Sequence, residues 1–291
     1  MKILWALDIF ENHPKAISAS VSFIQALSKK IEIKVDAISV VHYSGLGIST
    51  EEEARIKSKN TKILDSTLGF AKEEKWFCDA IVLVESQTPQ RVAVSDLTEY
   101  AKENDYDAIL LVKHSYKRNH SSFFGSFSEK AVFQSSIPVF LINPDGFIPK
   151  DIGKIIVAID EGSKKEREFK EFVGFIPVKG ISVKIFHKIK IPFHYFFKNS
   201  IKQYVSDRKR IILDSFRAII RIGENVGGTL DIDIRSVPKK VDEAILQEAK
   251  NGDFDLIATI HRRNEVEGYL LGRTTKRIFQ NADRPVLLFR P

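Results

Sequence analysis

Two segments of the chain share one frame. GSFSEKAVFQSSIPVFLIN, from Gly125 to Asn143, and GRTTKRIFQNADRPVLLFR, from Gly272 to Arg290, carry glycine and proline at the same internal spacing. The offset of 147 residues that relates Gly125 to Gly272 also relates Pro138 to Pro285 and His114 to His261. One offset shared by separate features marks a duplication, and a duplication constrains the fold more than any single motif does. The two halves also begin alike, with KILWALD at Lys2 to Asp8 and KIIVAID at Lys154 to Asp160. Between them runs NPDGFIPKD, Asn143 to Asp151, whose prolines, glycine, Asn and Asp favour turns. The reading is two domains, residues 1–146 and 150–291, a division that suits a chain of 291 residues.

Within each half, short apolar runs alternate with stretches of helical spacing. KILWALD reads as a strand covered on both faces, and Ile17, Val21, Ile24 and Leu27 mark the helix behind it. KVDAISVVHY is a second strand. Thr50, with Glu53 three residues on, reads as a capping box opening a long helix that runs toward Lys75. DAIVLVES, a helix from about Pro89 to Asn104, DAILLVKH, a helix from Ser126 to Gln134 and PVFLIN complete the half. The second half repeats the order with SVKIFHKI, LDIDIRSV, DLIATIH and PVLLFR. The fold class is therefore α/β, two tandem five-stranded, mostly parallel sheets flanked by helices.

The βαβαβαβαβ order, the aspartate after the first strand and the closing helix and Pro-Val strand resemble the universal stress protein family, over essentially the whole chain and twice. The resemblance implies an adenine nucleotide alpha hydrolase-like fold and an intrachain pseudo-dimer. In it, the last strands IPVFLIN and RPVLLFR satisfy each other's edges, with further dimerisation left open. It also implies a role in the stress response, and it admits ATP or another adenine nucleotide as ligand, although no motif requires a cofactor.

Ligands of open α/β sheets bind at the carboxyl ends of the strands, where Asp8 and Asp160 fall. In nucleotide-binding relatives this aspartate lies near adenine and ribose; an Asp after a strand also simply caps the next turn. Val40 falls near the adenine-contact position, and Gly125-Ser126 keeps the helix N-terminus that favours an anion. Ser126 with Glu129 equally forms a capping box of its own. The family's phosphate loop carries two earlier glycines, but here Val112 and Ser115 stand in those places in the first half, and Thr259 and Arg262 in the second. β-branched residues adopt the required positive φ only with strain, so both nucleotide sites read as degenerate. ATP is expected to bind weakly or not at all, with any binding confined to the first half. In the second half Lys188 falls near the adenine position and Arg273 follows Gly272. A cation at a helix N-terminus opposes the dipole, and Arg262, Arg263 and Arg273 together are candidates for a phosphate or carboxylate site.

Nothing in the chain reads as an enzyme. There is no Gly-x-Ser-x-Gly elbow, no Walker loop, and no HExxH or CxxC pattern to support a metal at His114 or His261. The reading is a non-enzymatic, ligand-responsive or partner-binding module; the alternative is an ATP-binding, slowly hydrolysing one that uses the first domain. The net charge of +7 is concentrated from Lys184 to Arg221, where ten Lys or Arg face two acids. This stretch also holds Phe193, Tyr195, Phe196 and Phe197 and reads as an aromatic loop leading into a basic amphipathic helix. An acidic partner, with nucleic acid the less favoured form, is one reading; a solvated face on a sheet-covering helix is the other. The single cysteine, Cys78, reads as a small packing residue. The start of the chain leads directly into a strand, so a cytoplasmic location is expected.

Overall fold

The computed structural model describes residues 1–7, 14–43, 49–86, 90–113, 127–159, 165–189, 191, 201–236, 240–260 and 272–291. They divide between two compact units, one from Met1 to Asp151 and one from Ile152 to Pro291.

The first unit runs β1 (Lys2–Ala6), α1 (Pro14–Ser28), β2 (Lys34–Tyr43), α2 (Thr50–Thr67), β3 (Phe77–Ser86), α3 (Gln90–Glu103), β4 (Ala108–Val112), α4 (Phe127–Gln134) and β5 (Val139–Ile142). Every pairing is parallel. β1 lies between β2 and β4, β3 flanks β2, and β5 flanks β4. The second unit runs β6 (Lys154–Ala158), α5 (Lys165–Phe175), β7 (Ser182–Lys188), α6 (Ile201–Asn225), β8 (Thr229–Arg235), α7 (Val241–Asn251), β9 (Leu256–Ile260), α8 (Arg273–Asn281) and β10 (Val286–Phe289). Its sheet has the same order, with β6 between β7 and β9, β8 beside β7, and β10 beside β9. The order reverses at the first strand of each half. In such a sheet the crevice forms at the carboxyl ends beside that strand.

The first strand of each half is apolar because helices cover both of its faces. Ile3, Leu4 and Trp5 are buried in one unit, and Ile155, Ile156 and Val157 in the other. The duplication also extends to a backbone detail. Asp105 and Asp253, the only non-glycine residues with positive φ among those described, hold φ of 54° and 51° in the turn entering the fourth strand of each half. Asp tolerates this conformation better than most residues. Two residues later, Asp107 Oδ2 accepts from the Lys2 amide at 2.7 Å, and Asp255 Oδ2 accepts from the Gly153 and Lys154 amides at 2.8 Å. Each aspartate thus ties the start of the fourth strand to the start of the first.

Three expectations need correction. Ser49, not Thr50, caps α2, its hydroxyl accepting from the Glu52 amide at 3.2 Å. Serine one residue earlier fits the helix because the acidic triplet Glu51 to Glu53 then fills the first turn, where the dipole favours it. The same helix stops at Thr67 instead of running on toward Lys75; Gly69 follows its C-cap Leu68, and only a short 3₁₀ turn, Ala71–Glu73, continues. Cys78 is exposed. Val35 pairs with Phe77 and Asp36 with Asp79, so Cys78 is the extra residue of a β-bulge and has no partner on β2.

Candidate functional site

The second unit contains a pocket of about 630 Å³ at the carboxyl ends of its central strands. Ala158 and Ile159 bring it to the end of β6, Phe186, His187 and Lys188 to the end of β7, and Thr259 and Ile260 to the end of β9. It therefore spans the place where the strand order reverses. Its lining includes the apolar side chains Phe186, Val241, Ile245 and Ile278. It also includes three cationic residues, Lys188 from β7, Arg208 from α6 and Arg273 from α8.

Helix α8 enters this pocket by its N-terminus. Its N-cap is Gly272, which offers no side-chain cap, and the first intrahelical bond there is from the Lys276 amide to the Gly272 carbonyl at 3.0 Å. The first-turn amides of Arg273, Thr274 and Thr275 have no partner within their helix, and the dipole adds positive potential where they point. Gly272 has an ordinary backbone conformation, and a Cβ there would meet nothing within 4 Å. The missing side chain leaves the helix end open.

The two halves differ at the next position. Ser128 of α4, buried, donates its hydroxyl to the Val112 carbonyl at 2.8 Å. Its equivalent at the 147-residue offset is Thr275, 9% exposed, which lines the pocket and makes no hydrogen bond among the described residues. Thr259, the equivalent of Val112, is 3% exposed and turns its hydroxyl toward the Leu287 carbonyl at 3.4 Å. Both Val112 and Thr259 sit inside paired strands, in register with Ile142 and Leu288. At these two positions the glycine-dependent geometry is absent, because Val112, the last residue of β4, and Thr259 of β9 are strand-paired and neither has positive φ.

His187, 8% exposed, lies with Nδ1 3.3 Å from the Ile159 carbonyl and its ring against Phe216, centroids 6.0 Å apart. A carbonyl only accepts, so the contact is a hydrogen bond in the tautomer that carries its proton on Nδ1. Lys165, with Nζ 4.9 Å from the Phe216 ring centroid, fastens the start of α5 to α6.

A profile of the Universal stress protein family matches residues 205–290, from within α6 to the end of β10. This part of the second half is similar to the universal stress protein family. The first half repeats its fold. A universal stress protein from Archaeoglobus fulgidus superposes with a TM-score of 0.68 at 15% identity, covering 99% of this chain and 96% of that one. A functionally unknown protein from Pseudomonas aeruginosa gives 0.58 at 12% identity, covering 100% and 92%. At these identities the likeness concerns the fold, and it extends over both halves. No curated protein matches the chain. Among the described residues, no helix is long and apolar enough to cross a membrane, and no His, Cys, Asp and Glu cluster forms a metal site.

In the second unit, Gly272, Arg273 and Lys188 meet in one pocket. Asp160, Arg262, Arg263 and His261 lie outside the described residues, as do Asp8, His114, Ser115, Gly125 and Ser126 of the first half. Val40 is half-buried on β2, in register with Leu83. Tyr204 and Arg208 were not among the site residues read from the sequence, yet both line the pocket. Their i, i+4 spacing puts them on one face of α6, beside the stripe of Ile212, Phe216 and Ile219 that packs on the sheet. That adjacency is the signal that marks them.

The basic stretch from Lys184 to Arg221 divides among different surroundings. Lys184 donates to Glu248 at 2.8 Å, and Lys188 and Arg208 line the pocket. Arg217 pairs with Asp214 at 2.8 Å. Lys202, Lys209, Arg210 and Arg221 are exposed on α6. Lys190 and the four aromatics from Phe193 to Phe197 lie outside the described residues.

Proposed function

We propose that this chain is a ligand-responsive binding module that works without catalysis, and that its second-half pocket takes a small molecule bearing phosphate. The observation that carries this reading is the meeting of three cations from three elements, Lys188, Arg208 and Arg273, with an uncapped helix N-terminus in one pocket that also has apolar lining. Arginine presents a planar fork suited to phosphate oxygens, and it replaces here the close backbone approach that the loop glycines allow in relatives. The apolar lining suits the uncharged part of the same ligand.

The test is thermal denaturation and calorimetric titration of the full chain against a panel of phosphate-bearing metabolites. Arg208→Gln combined with Arg273→Gln is expected to abolish the ligand-induced rise in Tm while leaving the ligand-free Tm nearly unchanged, because neither side chain is buried. No shift with any member of the panel would overturn the reading. Loss on Asp8→Ala and Ser126→Ala instead would move the site to the first half and favour ATP there.

A further inference from the structure

Helix α6 covers its sheet with one face and turns the other to solvent, and the outer face carries charge that the covering role does not need. We propose that this outer face is a docking surface for an anionic lipid bilayer, separate from the pocket at the strand ends. At 3.6 residues per turn, Lys202, Lys209, Arg210, Leu213, Arg217 and Arg221 fall within an arc of about 120° around the helix. All six are exposed, Leu213 to 44%. The arc runs about 28 Å from Lys202 to Arg221 at the usual helical rise. The buried stripe of Ile212, Phe216 and Ile219 borders it, and Tyr204 and Arg208, which line the pocket, lie on the far side of that stripe.

Among the described residues, Lys202, Lys209, Arg210 and Arg221 form no ion pair, and Arg217 alone has one, with Asp214 at 2.8 Å. Asp207 lies beyond the edge of the arc and accepts from Gln203 at 3.1 Å; Glu224, in the last turn, is the one acid of α6 within it. The segment that leads into the helix, residues 190–200, contains no Asp or Glu and supplies no countercharge. The duplication provides a control for the simpler account, a solvated face on a covering helix. α2 covers the first sheet at the equivalent place with four cations against four acids, three of the acids in its first turn, where the dipole favours them. α6 has six cations against three acids, and its first turn holds Lys202 and no acid. Covering a sheet does not call for that excess, and a cation in the first turn opposes the dipole.

Charge complementarity calls for an anionic partner, and Leu213 selects its kind. It stands amid the cations, with Lys209 and Arg217 four residues to either side. A nucleic-acid backbone rewards cations and has no place for an aliphatic side chain. A bilayer takes both: headgroup phosphates and carboxylates meet the lysines and arginines, while the leucine reaches the acyl boundary. Shape agrees with this choice. The outer side of a straight helix is a convex ridge, which suits a plane, whereas an acidic peptide is held best in a groove.

The experiment is co-sedimentation of the full chain with phosphatidylcholine vesicles in which phosphatidylserine makes up about a third of the lipid, beside vesicles of phosphatidylcholine alone. The expected result is binding to the anionic vesicles only, weakened by added salt. Lys209→Gln combined with Arg210→Gln should weaken it about tenfold or more, since each cation close to an anionic leaflet contributes roughly fivefold. Leu213→Ser should weaken it about threefold through lost apolar contact. Lys57→Gln combined with Lys59→Gln, exposed on α2, should leave it unchanged. All these side chains are exposed, so the unfolding transition is expected to stay in place and checks that each variant is folded. No binding to the anionic vesicles at low salt, equal binding to the neutral ones, or binding that the α6 variants do not alter overturns the proposal. A shift of duplex RNA in a gel that the Lys209 and Arg210 variant loses and Leu213→Ser keeps, without vesicle binding, assigns the face to nucleic acid and overturns it too. None of these outcomes bears on the pocket, because no substituted residue lines it.

Discussion

Tyr106 and Asp36 meet across 70 residues of chain, the phenol donating to the carboxylate at 2.6 Å in a buried setting. Burial first, and then the bond to Asp36, raises the Tyr106 pKa well above its ordinary value of 10, so the phenol stays a donor over the whole physiological range. The other half builds the same place differently. Asp36 stands opposite Leu4, and Lys184 stands opposite Ile156, the third residue of each first strand. Lys184 Nζ lies 5.5 Å from the ring centroid of Phe254, which like Tyr106 directly follows the positive-φ aspartate. An acid with a phenol in one half is matched by a cation with a plain aromatic ring in the other. Tyr106→Phe is expected to cost about 1–3 kcal/mol, since it leaves a buried acceptor without its donor. Urea denaturation checks this; a loss below about 0.5 kcal/mol, within the usual scatter of mild substitutions, would show that water replaces the phenol without penalty.

Among the elements, α7 holds the second unit's most tightly connected charges. Glu248 accepts from Lys184 of β7 at 2.8 Å and from Arg235 at the end of β8 at 2.6 Å, and Arg235 also binds Asp233. Burial alone would raise the Glu248 pKa; hydrogen bonds from Lys184 and then Arg235 outweigh it and hold the pKa below the ordinary 4.5. A carboxylate depressed in the folded state contributes stability that is present in full above its unfolded pKa and is lost as pH falls through the folded one. The wild-type protein should therefore lose stability more steeply than Glu248→Gln as pH falls from about 5, near the unfolded range, toward 3. Parallel slopes would mean that the network contributes nothing at neutral pH. Helix α6 shows the limit of reading charge along a sequence. A helix distributes its residues around an axis, so Lys202, Lys209 and Arg210 reach solvent while Arg208 reaches the pocket. Strand and helix order was legible because the shared offset lets each half check the other, and because buried parallel strands are continuously apolar. The pocket was legible where α8 is concerned, through Gly272 and Arg273. The reach of Tyr204 and Arg208 was not, because it depends on how α6 lies over its sheet. Cys78 was misread because a bulge comes from pairing with β2, which composition does not display.

For the molecule as a whole, the two halves share topology, turn geometry and the aspartate ties, and they diverge at the carboxyl ends of the sheets. If the last strands satisfy each other as the family resemblance implies, residues 1–147 expressed alone should self-associate through β5. Analytical ultracentrifugation at high concentration is the check, and a well-behaved monomer would count against that arrangement. The bulge at Cys78 bears directly on this measurement. It places the chain's one thiol in solvent, so a half or a full chain left in air can be covalently coupled once and no further. Two molecules joined this way would sediment like an associated pair, and only a reductant separates the two cases. The same exposure offers a practical handle: a maleimide dye would mark every folded molecule at a single defined position in the first unit, with no cysteine to remove elsewhere.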